Sequence, residues 1–126
     1  MAVTPHELVI EAKSQIREVG TADAQGLLGK RIVIDVREYD EYAAGHLPGA
    51  INIPRGVLEF KIGMVSECAN KDGAFLLYCR TSGRAALSAV QLQRIGYGDV
   101  ISMAGGFEVW NNENRPTEKP EPINFE

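Results

Sequence analysis

Five short runs of apolar and β-branched residues alternate along the chain with segments whose apolar residues recur at helical spacing. The runs predict strands, the first of them an edge strand, at residues 15–19, 31–36, 51–53, 75–78 and 100–102. The other segments predict helices or helical turns at residues 5–14, 22–28, 38–44, 56–61 and 84–95, and residues 107–110 are predicted to open a last helix. Strands that alternate with helices at this spacing predict an α/β fold with a mostly parallel sheet.

Several helix ends carry their own sequence signals. Thr4 precedes Pro5, and Glu7 follows near the third helical position, which is the pattern of a capping box. Thr21 is predicted to cap the second helix, and Gly96 to end the helix at 84–95. These signals fix boundaries and carry no chemistry of their own.

Composition narrows the class of protein. The 126 residues are enough for one domain with its own core, and 44% of them are apolar. A net charge of −4 argues against nucleic acid as a general partner. No apolar run approaches the ~20 residues of a membrane span, and the first residues lack the pattern of a signal peptide. Two cysteines give no disulfide framework, and a free thiol fits a reducing compartment, so we predict a cytoplasmic location. Residues 1–126 are predicted to form a single domain. The sequence carries no signal for its oligomeric state.

The most informative stretch runs from residue 74 to residue 95. Residues 75–78 form an unbroken apolar run that suits a strand buried on both faces, and Cys79 ends it. Residues 82–83 then break the pattern before the helix at 84–95 begins. Cys79 is therefore predicted at the carboxyl end of a strand, where open α/β sheets hold their ligands.

Cys79 has two possible roles, and its neighbours favour one of them. It is either an apolar residue that ends a strand or a reactive nucleophile. The following helix presents free N–H groups and the positive end of its dipole, and Arg80 and Arg84 add two positive charges. Such surroundings stabilise a thiolate, which is the nucleophilic form of cysteine. We therefore predict a reactive Cys79 that faces an anionic substrate.

Cys68 has no such neighbours, and a structural role is favoured over that of a resolving thiol.

Two more segments carry candidate site residues. Asp35 and Arg37 end a buried strand, so their charges must be paired or reach the sheet edge. Asp35 is either a general base or a structural partner of an arginine or a loop backbone, and the second role is favoured. His46 lies in a Gly-His-Leu-Pro-Gly turn, where capping of backbone groups is favoured over a role as base or ligand.

Four of these segments together resemble the rhodanese family, in its order and spacing, over about residues 15–113. The chain is most similar to the stand-alone, single-domain rhodanese-like sulfurtransferases of bacteria. The resemblance implies a five-stranded parallel sheet with helices on both faces and an active loop that begins at Cys79. A helix at 5–14 and an extended tail at 115–126 flank this core. The four segments are DVRE (35–38), GHLPGAINIP (45–54), YCRTSGR (78–84) and AGGFEVW (104–110).

The resemblance also implies a mechanism. Cys79 would attack the outer sulfur of thiosulfate or a related small anion, sulfite would leave, and Cys79 would carry a persulfide. A nucleophile would then take the sulfur, namely cyanide in an assay and a thiol or a protein in a cell. No metal and no organic cofactor is implied. The substrate-binding residues would be those of the loop, with Asp35, Arg37 and His46 as structural support: Arg80, Thr81, Ser82, Gly83 and Arg84.

Two other functions remain open at this stage. Related folds with five residues between the cysteine and the arginine are phosphatases, and arsenate reduction belongs with them, but four residues separate Cys79 from Arg84 here. Rhodanese-like domains also serve as interaction modules, which commonly lack the cysteine that this chain keeps. Ser82 departs from the family, which usually has glycine at that position, and strains the loop if a positive φ is required there.

Overall fold

The computed structural model describes residues 2–121 and contains one parallel sheet of five strands. The strands are β1 (Arg17–Val19), β2 (Ile32–Asp35), β3 (Ile51–Asn52), β4 (Ala74–Tyr78) and β5 (Asp99–Met103). Their spatial order is β1-β5-β4-β2-β3, and every neighbouring pair is parallel. The predicted α/β fold is confirmed, and the first strand lies at an edge as predicted.

In the described part of the chain, six α-helices connect or flank the strands. Four of them lie within one residue of their predicted bounds, while the segment predicted at 56–61 divides into a 3₁₀ turn (Arg55–Val57) and a short α-helix. Among residues 2–121, no helix is both long enough and apolar enough to cross a membrane. The helices are α1 (Pro5–Lys13), α2 (Thr21–Leu27), α3 (Tyr39–Ala44), α4 (Leu58–Lys61), α5 (Gly83–Arg94) and α6 (Gly106–Asn112).

Helix starts show one error in the predictions. The capping box at Thr4 and Glu7 is present, with both of its hydrogen bonds. Thr21, however, is the first helical residue of α2 and not its cap, because Gly20 occupies the cap position. The Thr21 hydroxyl instead donates a hydrogen bond to Glu113. A distant carboxylate has therefore replaced the local backbone as its partner.

The core occupies both faces of the sheet. Along β4, alternate side chains point to opposite faces, as the pleat of a strand requires. Phe75 and Leu77 pack with residues of α4 and α5, and Cys79 belongs to the same cluster. Leu76 and Tyr78 pack on the other face, with residues of α2 and α6. Cys79 thus follows a fully buried central strand and lies on the α5 side of the sheet.

The chain beyond α6 crosses back over the loop at residues 46–49. We call residues 115–118 the strap. The indole N–H of Trp110 donates to the carbonyl of Pro116 at 2.8 Å, and His46 and Glu118 exchange two backbone hydrogen bonds of 2.9 Å. The Glu118 carboxylate also accepts from the N–H of Gly49 at 2.7 Å. The predicted extended tail is thus packed on the surface through residue 118, while residues 122–126 lie outside the described residues.

Candidate active site

Cys79 lies at the start of the loop that joins β4 to α5, and its side chain is turned toward the first turn of that helix. The N–H of Ala85 points at the Cys79 sulfur at 3.4 Å, and the residue is 1% exposed. Within the described part of the chain, the backbone N–H groups of residues 80–84 donate to no protein atom. Free donors at a helix N-terminus favour an anion. We call these N–H groups of residues 80–84, together with that of Ala85, the cradle.

The start of α6 holds the same loop from its other side. The N–H of Phe107 donates to the carbonyl of Cys79 at 2.8 Å, and the N–H of Glu108 donates to that of Arg80 at 2.9 Å. Gly106 has a φ of +63°, and a Cβ there would overlap the Thr81 carbonyl and lie 2.5 Å from the Arg80 carbonyl oxygen. Only glycine fits at this contact. The carbonyls of Cys79 and Arg80 are thus hydrogen-bonded to α6, whereas the N–H groups of residues 80–84 have no partner among the described residues.

Both arginines of the loop are paired with carboxylates. The Arg84 guanidinium donates to the two oxygens of Glu41 on α3, at 2.8 and 3.0 Å. Arg80 donates to Glu108 on α6 at 3.3 Å, in a pair that is largely exposed. The hydrogen bonds from Arg84 lower the pKa of Glu41 to about 2. The positive charges next to Cys79 are therefore offset by two negative ones.

A buried polar network stands at the carboxyl ends of β2 and β4. The Asp35 carboxylate is fully buried and accepts hydrogen bonds from the backbone and guanidinium of Arg37 and, at 2.6 Å, from the hydroxyl of Tyr78. Burial beside Asp35 raises the pKa of Tyr78, which keeps the phenol neutral. Burial alone would lower the pKa of Arg37, but its hydrogen bonds to Asp35 raise it. Asp35 is thus surrounded by donors, with Arg37 as its charged partner.

The network connects the site to the neighbouring loop. Arg37 donates to the carbonyl of Gly45 at 2.7 Å, and its guanidinium lies 4.3 Å from the centre of the Phe107 ring. The Tyr78 hydroxyl accepts from the N–H of Leu47 at 3.1 Å. Loop 45–47 and the start of α6 are therefore attached to the same charged pair.

His46 is buried in the neighbouring loop, directly after Gly45, whose carbonyl accepts from Arg37. It is 3% exposed, and its ring is stacked on Tyr42 with 3.8 Å between ring centres. Its Nδ1 lies 3.1 Å from the carbonyl oxygen of Tyr42, and its Nε2 lies 3.5 Å from the carboxylate of Glu118. Both ring nitrogens thus face groups of the protein itself. Among residues 2–121, no group of three or more histidine, cysteine, aspartate or glutamate side chains is placed to hold a metal ion.

A cleft of about 350 Å³ lies beside the active loop, and we call it the loop cleft. Arg37 and Phe107 form part of its wall, and Glu41, Arg80 and Glu108 bring charges to it. A second cleft of similar volume lies between α1 and α5, and neither cysteine lines it. Neither cysteine lines the loop cleft itself, but Arg80 of the Cys79 loop does, which places this cleft next to that loop.

Comparison with known proteins identifies the family. The model of the rhodanese-like domain matches residues 20–113 of the 126. The chain belongs to the rhodanese family. A sulfurtransferase of Allochromatium vinosum is 27% identical over 114 residues, which cover 90% of this chain and 99% of that protein. The thiosulfate sulfurtransferase GlpE of Pseudomonas fluorescens is 30% identical over 98 residues, which cover 77% of this chain and 86% of that protein.

A solved structure shares the fold over nearly the whole chain. It belongs to a protein of unknown function from Rhodopseudomonas palustris, described as a possible tyrosine phosphatase. The TM-score is 0.82 at 29% identity, and the match covers 94% of this chain and 96% of that one.

The departure from the usual rhodanese loop at Ser82 meets no requirement for a positive φ. Ser82 has a φ of −159°, outside the left-handed region that favours glycine. No hydrogen bond from its hydroxyl to the described residues is seen, and Thr81 beside it is exposed. A Cβ on the next residue, Gly83, would lie 3.3 Å from Val9 of α1, so the N-terminal helix packs directly against the end of the loop.

Glu41 and Glu108 are the site residues that the sequence did not predict. Glu41 lies 43 positions before Arg84, and Glu108 lies 28 positions after Arg80. Nothing in either local pattern distinguishes these carboxylates from those of a solvated helix surface. The one available signal was that Arg80 and Arg84 both lie near a thiol at the end of a buried strand, where positive charges need negatively charged partners from other parts of the chain.

Proposed function

We propose that this protein is a sulfurtransferase that carries a sulfane sulfur on Cys79. The Cys79 thiolate attacks the outer sulfur of a donor such as thiosulfate, and a new bond forms between that sulfur and Sγ. The S–S bond of the donor breaks, and sulfite leaves with the electron pair. A thiolate or cyanide then attacks the outer sulfur of the persulfide, which releases Cys79 as a thiolate.

The observation that carries this proposal is the cradle around Cys79. The N–H of Ala85 lies 3.4 Å from the sulfur, and the N–H groups of residues 80–84 have no partner among the described residues. Backbone donors held at a helix start stabilise an anion without having to reorganise during the reaction. A persulfide anion on Cys79 would extend into this set of donors.

The confined thiol also favours sulfur transfer over phosphoryl transfer. Cys79 is 1% exposed and four residues separate it from Arg84, so the space at the sulfur suits a single transferred atom. Arg84 is engaged by both oxygens of Glu41, whereas a phosphate would need that guanidinium for its own oxygens. Release of phosphate from an aryl phosphate, with turnover that depends on Cys79, would favour the phosphatase alternative.

The direct test is the intact mass of the full chain after mild treatment with thiosulfate. We expect wild type to gain one sulfur atom, to lose it on addition of cyanide or a thiol, and Cys79→Ser to gain none. Cys68→Ser is the matched control, because Cys68 is fully buried and burial raises its pKa to about 11, so this variant should gain sulfur as wild type does. Absence of any gain with thiosulfate, a thiosulfonate and polysulfide would favour an interaction module instead.

A further inference from the structure

The charges around Cys79 cancel, and this has a consequence for the donor. Three arginines and three carboxylates surround the site, and each arginine is paired: Arg37 with Asp35, Arg80 with Glu108 and Arg84 with Glu41. A dianion such as thiosulfate would therefore meet no free guanidinium in the structure as it stands. The attraction left to it comes from the cradle, whose N–H groups carry only partial charges.

The two loop arginines differ in how closely each is paired with its carboxylate and in how exposed each pair is. Arg84 and Glu41 form a bidentate pair in which both side chains are about one-third exposed, so this pair resists solvent and competing anions. Arg80 and Glu108 form a single, longer contact with both side chains at least half exposed. A donor that needed Arg84 would have to displace Glu41, which would leave that carboxylate without its partner.

The loop cleft offers room for an organic group. It measures about 350 Å³, and Ala44 and Phe107 give it an apolar wall, while its two arginines, Arg37 and Arg80, are already paired with carboxylates. An organic substituent on the donor would find contact there, whereas a second anionic group would have to compete with those carboxylates for the arginines.

We propose that Glu41 and Glu108 determine the donor, and that the preferred donor is a small organic sulfane-sulfur compound with a single negative charge. Its class is R–S–S⁻ or the equivalent thiosulfonate, and this inference rests on the sulfur-transfer function proposed above. Cys79 attacks the outer sulfur, the Sγ–S bond forms, and the S–S bond of the donor breaks. The leaving thiolate or sulfinate takes the electron pair, and its R group lies in the loop cleft.

The test compares two donors that differ by one charge. Methanethiosulfonate and thiosulfate both present an outer sulfur, as a monoanion and a dianion respectively. The rate of sulfur gain on Cys79 is measured by mass on the full-length wild type, Glu41→Gln and Glu108→Gln. Intrinsic donor reactivity cancels when each variant is compared with wild type using the same donor.

We expect the rate with thiosulfate to rise about tenfold in Glu41→Gln, because Arg84 becomes available to the sulfonate oxygens. Glu108→Gln, on an exposed pair, should give about a threefold rise. The rate with methanethiosulfonate should change by less than twofold in both. Asp72→Asn is the charge-matched control, since Asp72 lies in the turn before β4, at the opposite end of the strand from Cys79, and it should leave both rates unchanged.

The double variant Glu41→Gln/Arg84→Gln separates release of Arg84 from simple loss of a negative charge. We expect it to return the thiosulfate rate to within twofold of wild type. The inference is overturned if the ratio of the two donor rates stays within twofold of wild type in both single variants, or if the rise persists without Arg84. A Cys79 that takes sulfur from neither donor would instead contradict the proposed function itself.

Discussion

Cys79 and Cys68 show how one side-chain type acquires different properties within a single core. Both are buried members of the same cluster. Burial raises the pKa of Cys68 to about 11, so its thiol stays protonated at neutral pH. Cys79 differs because the N–H of Ala85 points at its sulfur and further free N–H groups follow in the loop. The surroundings of each sulfur therefore determine which thiol is suited to act as a nucleophile.

Glu41 should contribute stability that depends on pH. The hydrogen bonds from Arg84 lower the pKa of Glu41 to about 2 from a usual 4.5, so folding favours the ionised carboxylate. The contribution is complete above about pH 4.5 and is lost as the pH falls toward 2. Because the pair is partly exposed, we expect Glu41→Gln to lower the free energy of unfolding by about 1 kcal/mol at pH 7 and by less at pH 3.

Urea unfolding of wild type and Glu41→Gln at the two pH values measures this difference. A difference that stays constant between pH 7 and pH 3 would mean that the Glu41 carboxylate does not gain its stabilisation from Arg84. Glu59→Gln, on the exposed surface of α4, is the matched control and should show no pH-dependent difference.

Individual residues were predictable from sequence where their partners are close in the chain. Asp35 was expected to have a structural partner, and Arg37 is only two positions away. Thr21 was assigned to a helix cap because its distant partner, Glu113, is invisible in the local pattern. The counter-charges of Arg80 and Arg84 were missed for the same reason. The position of Cys79 between a strand end and a helix start was predictable because both of these elements lie within a few residues of it.

The Cys79 loop contacts two helices and not only the one that follows it. Helix α5 supplies the dipole and the N–H of Ala85, while α6 takes up the carbonyls of Cys79 and Arg80. The predicted strands and helices are close to those observed because apolar periodicity is a property of each segment alone. The contact between Gly106 and the loop joins segments 25 residues apart, so the paired glycines of that segment indicated only a close approach.

Gly106→Ala should impair the loop and reduce stability together. A Cβ at this position overlaps the Thr81 carbonyl, and the φ of +63° disfavours any residue with a side chain. We expect the free energy of unfolding to fall by roughly 2–3 kcal/mol and the rate of sulfur gain on Cys79 to fall at least tenfold.

Chemical unfolding and the mass assay measure the two effects. Gly98→Ala is the control, since a Cβ there meets no atom within 4 Å and Gly98 has no positive φ. A Gly106→Ala protein that takes up sulfur at the wild-type rate would show that α6 does not determine the shape of the loop.

Stability of the whole molecule should depend on the strap as well as on the sheet. The strap connects Trp110 to the loop at 46–49, and that loop is bound to Tyr78 through the N–H of Leu47. A chain that ends at Asn114 loses the hydrogen bonds made by Pro116 and Glu118, and we expect its free energy of unfolding to fall by roughly 2–4 kcal/mol. A chain that ends at Glu121 keeps these bonds and is the reference. Thermal and urea unfolding measure the stabilities of the two truncated chains. Equal stabilities would contradict a structural role for the strap.

The strand order β1-β5-β4-β2-β3 places the first strand of the sheet beside the last. During synthesis, β1 leaves the ribosome early and has no partner until β5 has been made some 80 residues later, at Asp99–Met103. The loop at 46–49 likewise has no partner for its outer side until Glu118 is made, about 70 residues later. Residues 17–19 therefore stay without a sheet partner while β2, β3 and β4 are made, and anything that protects this segment from wrong pairing has to act before β5 is complete.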